Sequence, residues 1–249
     1  MNFNRGALKA DARAAIRDSR TSPYLIALVL IAISYVLNYF QARLTGVTLN
    51  YDALLRAAEN GTYYDYVLSQ AAAQMPGGYE TFIGILLTVM SVMLNVGYVI
   101  STLRVARRQD NVVGNLFDGF GMFFRVLWLE ILIWFFTFLW SLLFVIPGII
   151  AAYRYRQALY LLIDNPEMSA LDCISESKRL MTGHKTELFL MDLSFLGWYI
   201  LCAVPFVPIY VFPYTYTSYA LYYDRLIAPD ASERPDGRTS GDGAPPWEL

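Results

Sequence analysis

Residues 81–108 read TFIGILLTVMSVMLNVGYVISTLRVARR. The first part, 81–103, is apolar and carries no charged side chain. A helix rises about 1.5 Å per residue and a bilayer core is about 30 Å thick, so this stretch is long enough to cross a membrane. Arg104, Arg107 and Arg108 follow at once. Lys and Arg near a span stay on the cytoplasmic side, so these residues give the crossing a direction as well as a length.

Working outward, six apolar segments can be drawn: about 23–43, 81–103, 122–146, 149–163, 187–204 and 209–226. Fifteen of the nineteen Lys and Arg then lie on one side, and only Arg43 and Arg56 on the other. The remaining two, Arg154 and Arg156, fall inside the fourth segment. If 149–163 did not cross, Lys178, Arg179 and Lys185 would move to the outer side, so the charge rule favours six spans over five. The expected fold class is all-α, a polytopic transmembrane helical bundle of about six spans with amphipathic interfacial helices. Both termini are expected to be cytoplasmic.

Three regions follow. Residues 1–22 form a basic helix with Leu8, Ala12, Ala15 and Ile16 on one side and Lys9, Arg13, Arg17 and Arg20 on another. That pattern suits the anionic cytoplasmic leaflet. Residues 23–227 form the membrane domain, with an outer loop at 44–79. Residues 228–249 are rich in Pro, Gly, Ser and Asp, too polar to build a core, and are expected to be disordered. The segment 111–121 reads as surface-lying, and 167–186 as a cytoplasmic interfacial helix opened by Ser169 and closed near Gly183.

Composition agrees. The chain has 249 residues, 56% hydrophobic and 16% charged, where a soluble domain carries about 25% charged residues. The net charge of −2 provides no basic field for nucleic acid. The single histidine, His184, leaves little for a His-based metal site or Ser-His catalysis. Two cysteines, Cys173 and Cys202, stand far apart and read as small packing residues. The first apolar run is too long for a signal peptide and reads as a retained anchor. No phosphate loop, H-E-x-x-H motif or nucleophile elbow appears, so neither a cofactor nor a catalytic residue is expected.

A second set of residues carries a resemblance. Ile146-Pro147-Gly148-Ile149-Ile150 is followed by Tyr153 and Tyr155, then Asp164-Asn165-Pro166. Ser175-x-Ser177 and Met181-x-Gly183-His184-Lys185 come next, then Gly197-Trp198 and a late Pro213-Tyr214. This ordered set resembles the bacterial integral-membrane family catalogued as domain of unknown function nine-seven-five. Over most of the chain, to about Leu226, the resemblance implies a polytopic protein of the bacterial cell membrane. It implies no reaction and no catalytic residues.

Ionisable groups inside spans are the candidate site. A charge in the bilayer interior costs several kcal/mol unless it is paired, hydrated or snorkelling. Arg154 and Arg156 are therefore singled out, with Tyr153 and Tyr160 nearby, Glu130 and Asp192 as acidic counterparts, and Asn95 as a polar residue within the second span. Positions two apart point about 200° apart on a helix, so the two arginines do not share a face. Arg156 shares one with Tyr153 and Tyr160. Measured from the cytoplasmic ends, Glu130 and Arg156 lie level, about 12 Å deep. Measured from the Pro147 turn, Arg156 instead faces Thr137. Asp192 reads first as a helix N-terminal carboxylate.

Three functions fit these readings. The first is a non-catalytic scaffold or helper in the bacterial envelope, with the lipid bilayer and unnamed membrane proteins as partners. The second is a small permease or transport component with a polar site around Arg154, Arg156 and Glu130. The third is a lipid-binding or lipid-modifying protein.

Overall fold

A computed structural model describes residues 5–45, 77–204 and 206–228, with positions 56, 57, 59, 60, 62, 65 and 67 between them. Most of the loop expected at 44–79 and nearly all of the tail expected at 228–249 lie outside the described residues. Every element assigned among the described residues is helical.

Helix α1 (Arg5–Asp18) presents Leu8, Ala12, Ala15 and Ile16 on one side, as their spacing predicts. That side does not face lipid. All four residues are buried, because α1 lies against α9 (Val207–Ile227) and α3 (Gly78–Ala106). The apolar face is used on the bundle, while Arg5, Arg13 and Arg17 of this basic helix stay exposed. Lys9 adds a contact to a further helix, through Ser194 and Phe195. Its Nζ donates to the Ser194 carbonyl at 3.3 Å and sits 4.1 Å from the centre of the Phe195 ring. Burial, with Arg5 and Arg13 close by, pushes the Lys9 ammonium below its usual pKa.

Pro23 opens α2 (Pro23–Thr45), a position where its missing N–H costs nothing. Helix α3 changes character along its length. Tyr79, Phe82, Ile85 and Leu86 near its start are exposed, whereas almost every residue from Met93 to Ala106 is buried. The 3₁₀ segment Val113–Met122 packs tightly across this buried half. A Cβ at Gly97 would collide with the Leu116 carbonyl, and one at Gly119 would meet the Met93 carbonyl at 2.5 Å. The segment expected to lie on the surface is therefore clamped to α3 through two glycines.

Helix α4 (Phe123–Leu143) and α5 (Val145–Tyr155) form a hairpin. Phe144, in extended conformation (φ −162°), breaks the path between them. The short α6 (Ala158–Asp164) continues α5 after a break. Helix α7 (Ala170–Leu180) follows, capped by the Ser169 hydroxyl, which accepts from the Asp172 N–H at 3.2 Å. Gly183 then takes a left-handed φ of +86°, and α8 (Lys185–Leu201) precedes α9. Cys173, Ile174 and Ser177 of α7 are buried in the bundle, so this helix also packs on protein along one side.

Among the described residues three stretches are long and apolar enough to cross a membrane: Pro23–Leu44, Gly78–Ala106 and Val113–Leu143. The expected fourth span is the broken pair α5–α6, and α8 has 17 residues, about 26 Å of helix. Exposed Phe, Trp, Leu and Ile cover α4, the start of α5 and the far half of α8. Exposed apolar area on this scale marks a surface made for lipid rather than water.

Candidate functional site

The α4–α5 hairpin sets the site. Gly148 sits so close to α4 that a Cβ would strike the Ser141 side chain. Thr137 and Glu130, the two α4 residues that the alternative counts place level with Arg156, both line one cavity with it.

Just beyond, the helix breaks at Arg156–Gln157. Ser177 of α7, fully buried, fills the gap in the backbone ladder. Its hydroxyl donates to the Arg154 carbonyl at 2.7 Å and accepts from the Gln157 N–H at 3.2 Å. One hydroxyl thus serves an N–H and a C=O at the break, which a buried backbone otherwise leaves unpaired at a cost of about 1–3 kcal/mol.

The break borders a cavity of about 530 Å³. Its wall draws on α3, α4, the α5–α6 break, α8 and α9, and includes Glu130, Thr137, Arg156, Gln157 and Tyr160. Trp134, 67% exposed, and Tyr199, 39% exposed, form its rim. Two buried polar atoms of the wall have no hydrogen-bond partner among the described residues: Thr137 Oγ1 and Gln157 Oε1. Gln157 is itself 2% exposed. Glu130 takes part in no ion pair or hydrogen bond among the described residues.

Arg156 does not pair with Glu130. Its carboxylate neighbour is Asp192 of α8, with Nη1 to Oδ2 at 3.7 Å, and its guanidinium lies 5.0 Å from the centre of the Tyr219 ring. Asp192 is no simple N-terminal carboxylate. It accepts from the Tyr153 hydroxyl at 2.8 Å and from the Tyr219 hydroxyl at 2.6 Å, joining α5, α8 and α9. A further cavity of about 450 Å³ lies beside Arg156, lined by Asp192, Phe189 and Tyr199 among others.

A different cluster closes the basic end of the bundle. Arg107, just past α3, binds Asp164 through both terminal nitrogens at 2.7 Å. Its Nε and Nη2 reach Asp224 Oδ1 at 3.0 and 2.7 Å. Tyr223 donates to Asp164 at 3.0 Å. Burial works against the charge on Arg107, but the two carboxylates outweigh it and hold its pKa above the ordinary arginine value.

The other candidate residues are placed as follows. Arg154 makes no ion pair among the described residues, and its main role here is the carbonyl bound by Ser177. Asn95 is exposed and donates to the Ser91 carbonyl of its own helix, away from the cavity. Tyr160 lines the cavity and stacks on Tyr223. The Asn165 amide turns back to the Leu161 carbonyl at 3.3 Å, and the Pro166 carbonyl accepts from Arg125. His184 contacts Glu187 at 2.9 Å, and its carbonyl accepts from Tyr222. Lys185 opens α8, Gly197 faces open space, and Trp198 packs against Tyr210 and Tyr214. Sequence reasoning did not place Gln157, Asp224 or Tyr219 in the candidate site. The first two carried a signal: each is a strongly polar residue inside an expected span. Among the described residues no group of His, Cys, Asp and Glu is arranged to hold a metal.

Fold and site together define an all-helical membrane protein with a polar cavity between its helices. Residues 142–229 match the family described as Protein of unknown function (DUF975). The match starts at the end of α4 and runs through α9, so it holds α5, the helix break and Asp192, and leaves α1 to α3 and nearly all of α4, with Glu130 and Thr137, outside. It is narrower than the resemblance read from the sequence. Comparison with curated proteins and with solved structures gives no match.

Proposed function

We propose that this chain is a six-crossing protein of the bacterial cell membrane, with both ends cytoplasmic, that holds a polar or amphipathic ligand between its helices as a binding or transport component. The observation that carries this reading is the cavity at the α5–α6 break, whose wall contains Arg156, Glu130 and two buried polar atoms without partners. A scaffold needs no such space. Buried polar groups without partners are costly, and a ligand or water that bonds them removes the cost. An interrupted helix beside a polar cavity suits a membrane binding site, because irregular backbone at membrane depth is tolerated where it is buried in protein or lines a cavity. The exposed rim residues Trp134 and Tyr199 adjoin the apolar flank of α4 and α8, which favours a ligand with an apolar part.

Thiol labelling tests the reading. Cys173 and Cys202 are replaced by Ala, and Thr137→Cys is introduced in protein reconstituted in nanodiscs. An open cavity gives rapid reaction with N-ethylmaleimide, against slow reaction of Leu139→Cys on the exposed apolar flank. Equal, slow rates at both sites reject the cavity. The six-crossing arrangement requires single cysteines near position 60 and near position 170 to react with an impermeant reagent from opposite sides. Labelling of both from one side overturns it.

A further inference from the structure

The polar capacity left open in the cavity is one-sided. Among the described residues Arg156 is the one cation in its wall, and it is already engaged by Asp192 and by the Tyr219 ring. Glu130, across the same space, has no counter-charge among the described residues. Taken together, Arg156, Asp192 and Glu130 leave one carboxylate in excess. The Gln157 amide repeats the pattern: its Nε2 points to Met181 Sδ at 3.7 Å, while Oε1, an acceptor, meets no donor. Thr137 Oγ1 and the tyrosine hydroxyls serve either way. The rest of the wall joins the aromatic rings of Trp134, Tyr155, Tyr160, Tyr199 and Tyr216 to aliphatic side chains such as Ile133 and Leu159. Aromatic faces attract cations and give nothing comparable to anions. Glu130 is half-buried, a carboxylate without a cation is costly inside a membrane, and a bound cation supplies what the bundle does not.

Resting on the ligand-binding reading above, we propose that the cavity takes a protonated amine, with the ammonium between Glu130 and Gln157 Oε1 and any attached chain leaving past Trp134. Such a group belongs either to an amphiphile, with the amine as its headgroup, or to a small free amine. The charge balance opposes an anionic headgroup despite the presence of Arg156.

The same Thr137→Cys protein carries the test, so the two ideas fail separately. If Thr137→Cys does not label, the cavity reading falls. If it labels, octylammonium is added and compared with octanol and octyl sulfate at equal concentration below micelle formation. The expected result is labelling slowed about tenfold at saturating octylammonium, the trace of a site nine-tenths occupied, and little change with the other two. Methylammonium identifies the source: protection by it as well marks a small-amine site, and protection by octylammonium alone marks an amphiphile. Glu130→Gln should abolish protection while leaving unprotected labelling in place, and Glu130→Asp should retain it. Protection by octyl sulfate equal to that by octylammonium overturns the proposal, as does undiminished protection in Glu130→Gln.

Discussion

Arg107 and Arg156 each meet a carboxylate on a neighbouring helix, and the bundle treats them differently. At the basic end, Arg107 meets two carboxylates at 2.7 Å, with every side chain of the cluster less than a quarter exposed. Next to the helix break, Arg156 stands 3.7 Å from its one carboxylate, is 44% exposed, and looks into a cavity. The first arrangement is closed and self-sufficient. The second holds its arginine mainly through Asp192, which two tyrosines fix in turn, and leaves room beside it. Similar residues thus serve as a structural tie in one place and as the wall of a binding space in another. What separates them is how completely each polar atom is satisfied.

This contrast makes a graded set of expectations for thermal unfolding in nanodiscs. The largest effect belongs to Arg107→Met, which strands Asp164 and Asp224 together. The loss should be about 3 kcal/mol, the low end for a broken buried pair because the cluster keeps some exposure. Ser177→Ala comes second. It removes the hydroxyl shared by the Arg154 carbonyl and the Gln157 N–H, at about 1–3 kcal/mol, and should also slow Thr137→Cys labelling if the break then narrows. Arg156→Met comes third, at about 1 kcal/mol or less, since a half-exposed pair at this distance contributes little. Glu130→Gln is the smallest, within about 0.5 kcal/mol, because no partner is lost. An Arg156→Met loss as large as that of Arg107→Met breaks the comparison, since it makes the open site a second structural tie.

Much of the fold could be read along the chain, because membrane helices advertise themselves by length and apolarity. The spans at 23–43 and 81–103 correspond to α2 and α3 within a few residues, and Pro147-Gly148 marked the hairpin. The third span, drawn at 122–146, ends earlier, at Phe144, where the backbone turns extended before Pro147. The fourth segment carried too little apolar length, and its polar residues 156 and 157 turned out to be the break itself. Periodicity reports that a face is apolar and is silent on what covers it, so nothing in the pattern of α1 showed that its apolar side covers α9. The candidate site was legible as a set of charges and illegible as a set of pairs. Arg156 and Glu130 were both found, but the partner of Arg156 lies 36 residues downstream on another helix, where nothing local in the sequence points back to it.

The Arg107 cluster also constrains how the protein is made. Its guanidinium leaves the ribosome early, Asp164 follows 57 residues later, and Asp224 follows 117 residues later, near the end of the last helix. Until α9 arrives, Arg107 and Asp164 are a tie with one strand missing. Chains that stop before Asp224 therefore present an unfinished basic end to the cell's quality control, and the bundle closes there only once α9 is in place.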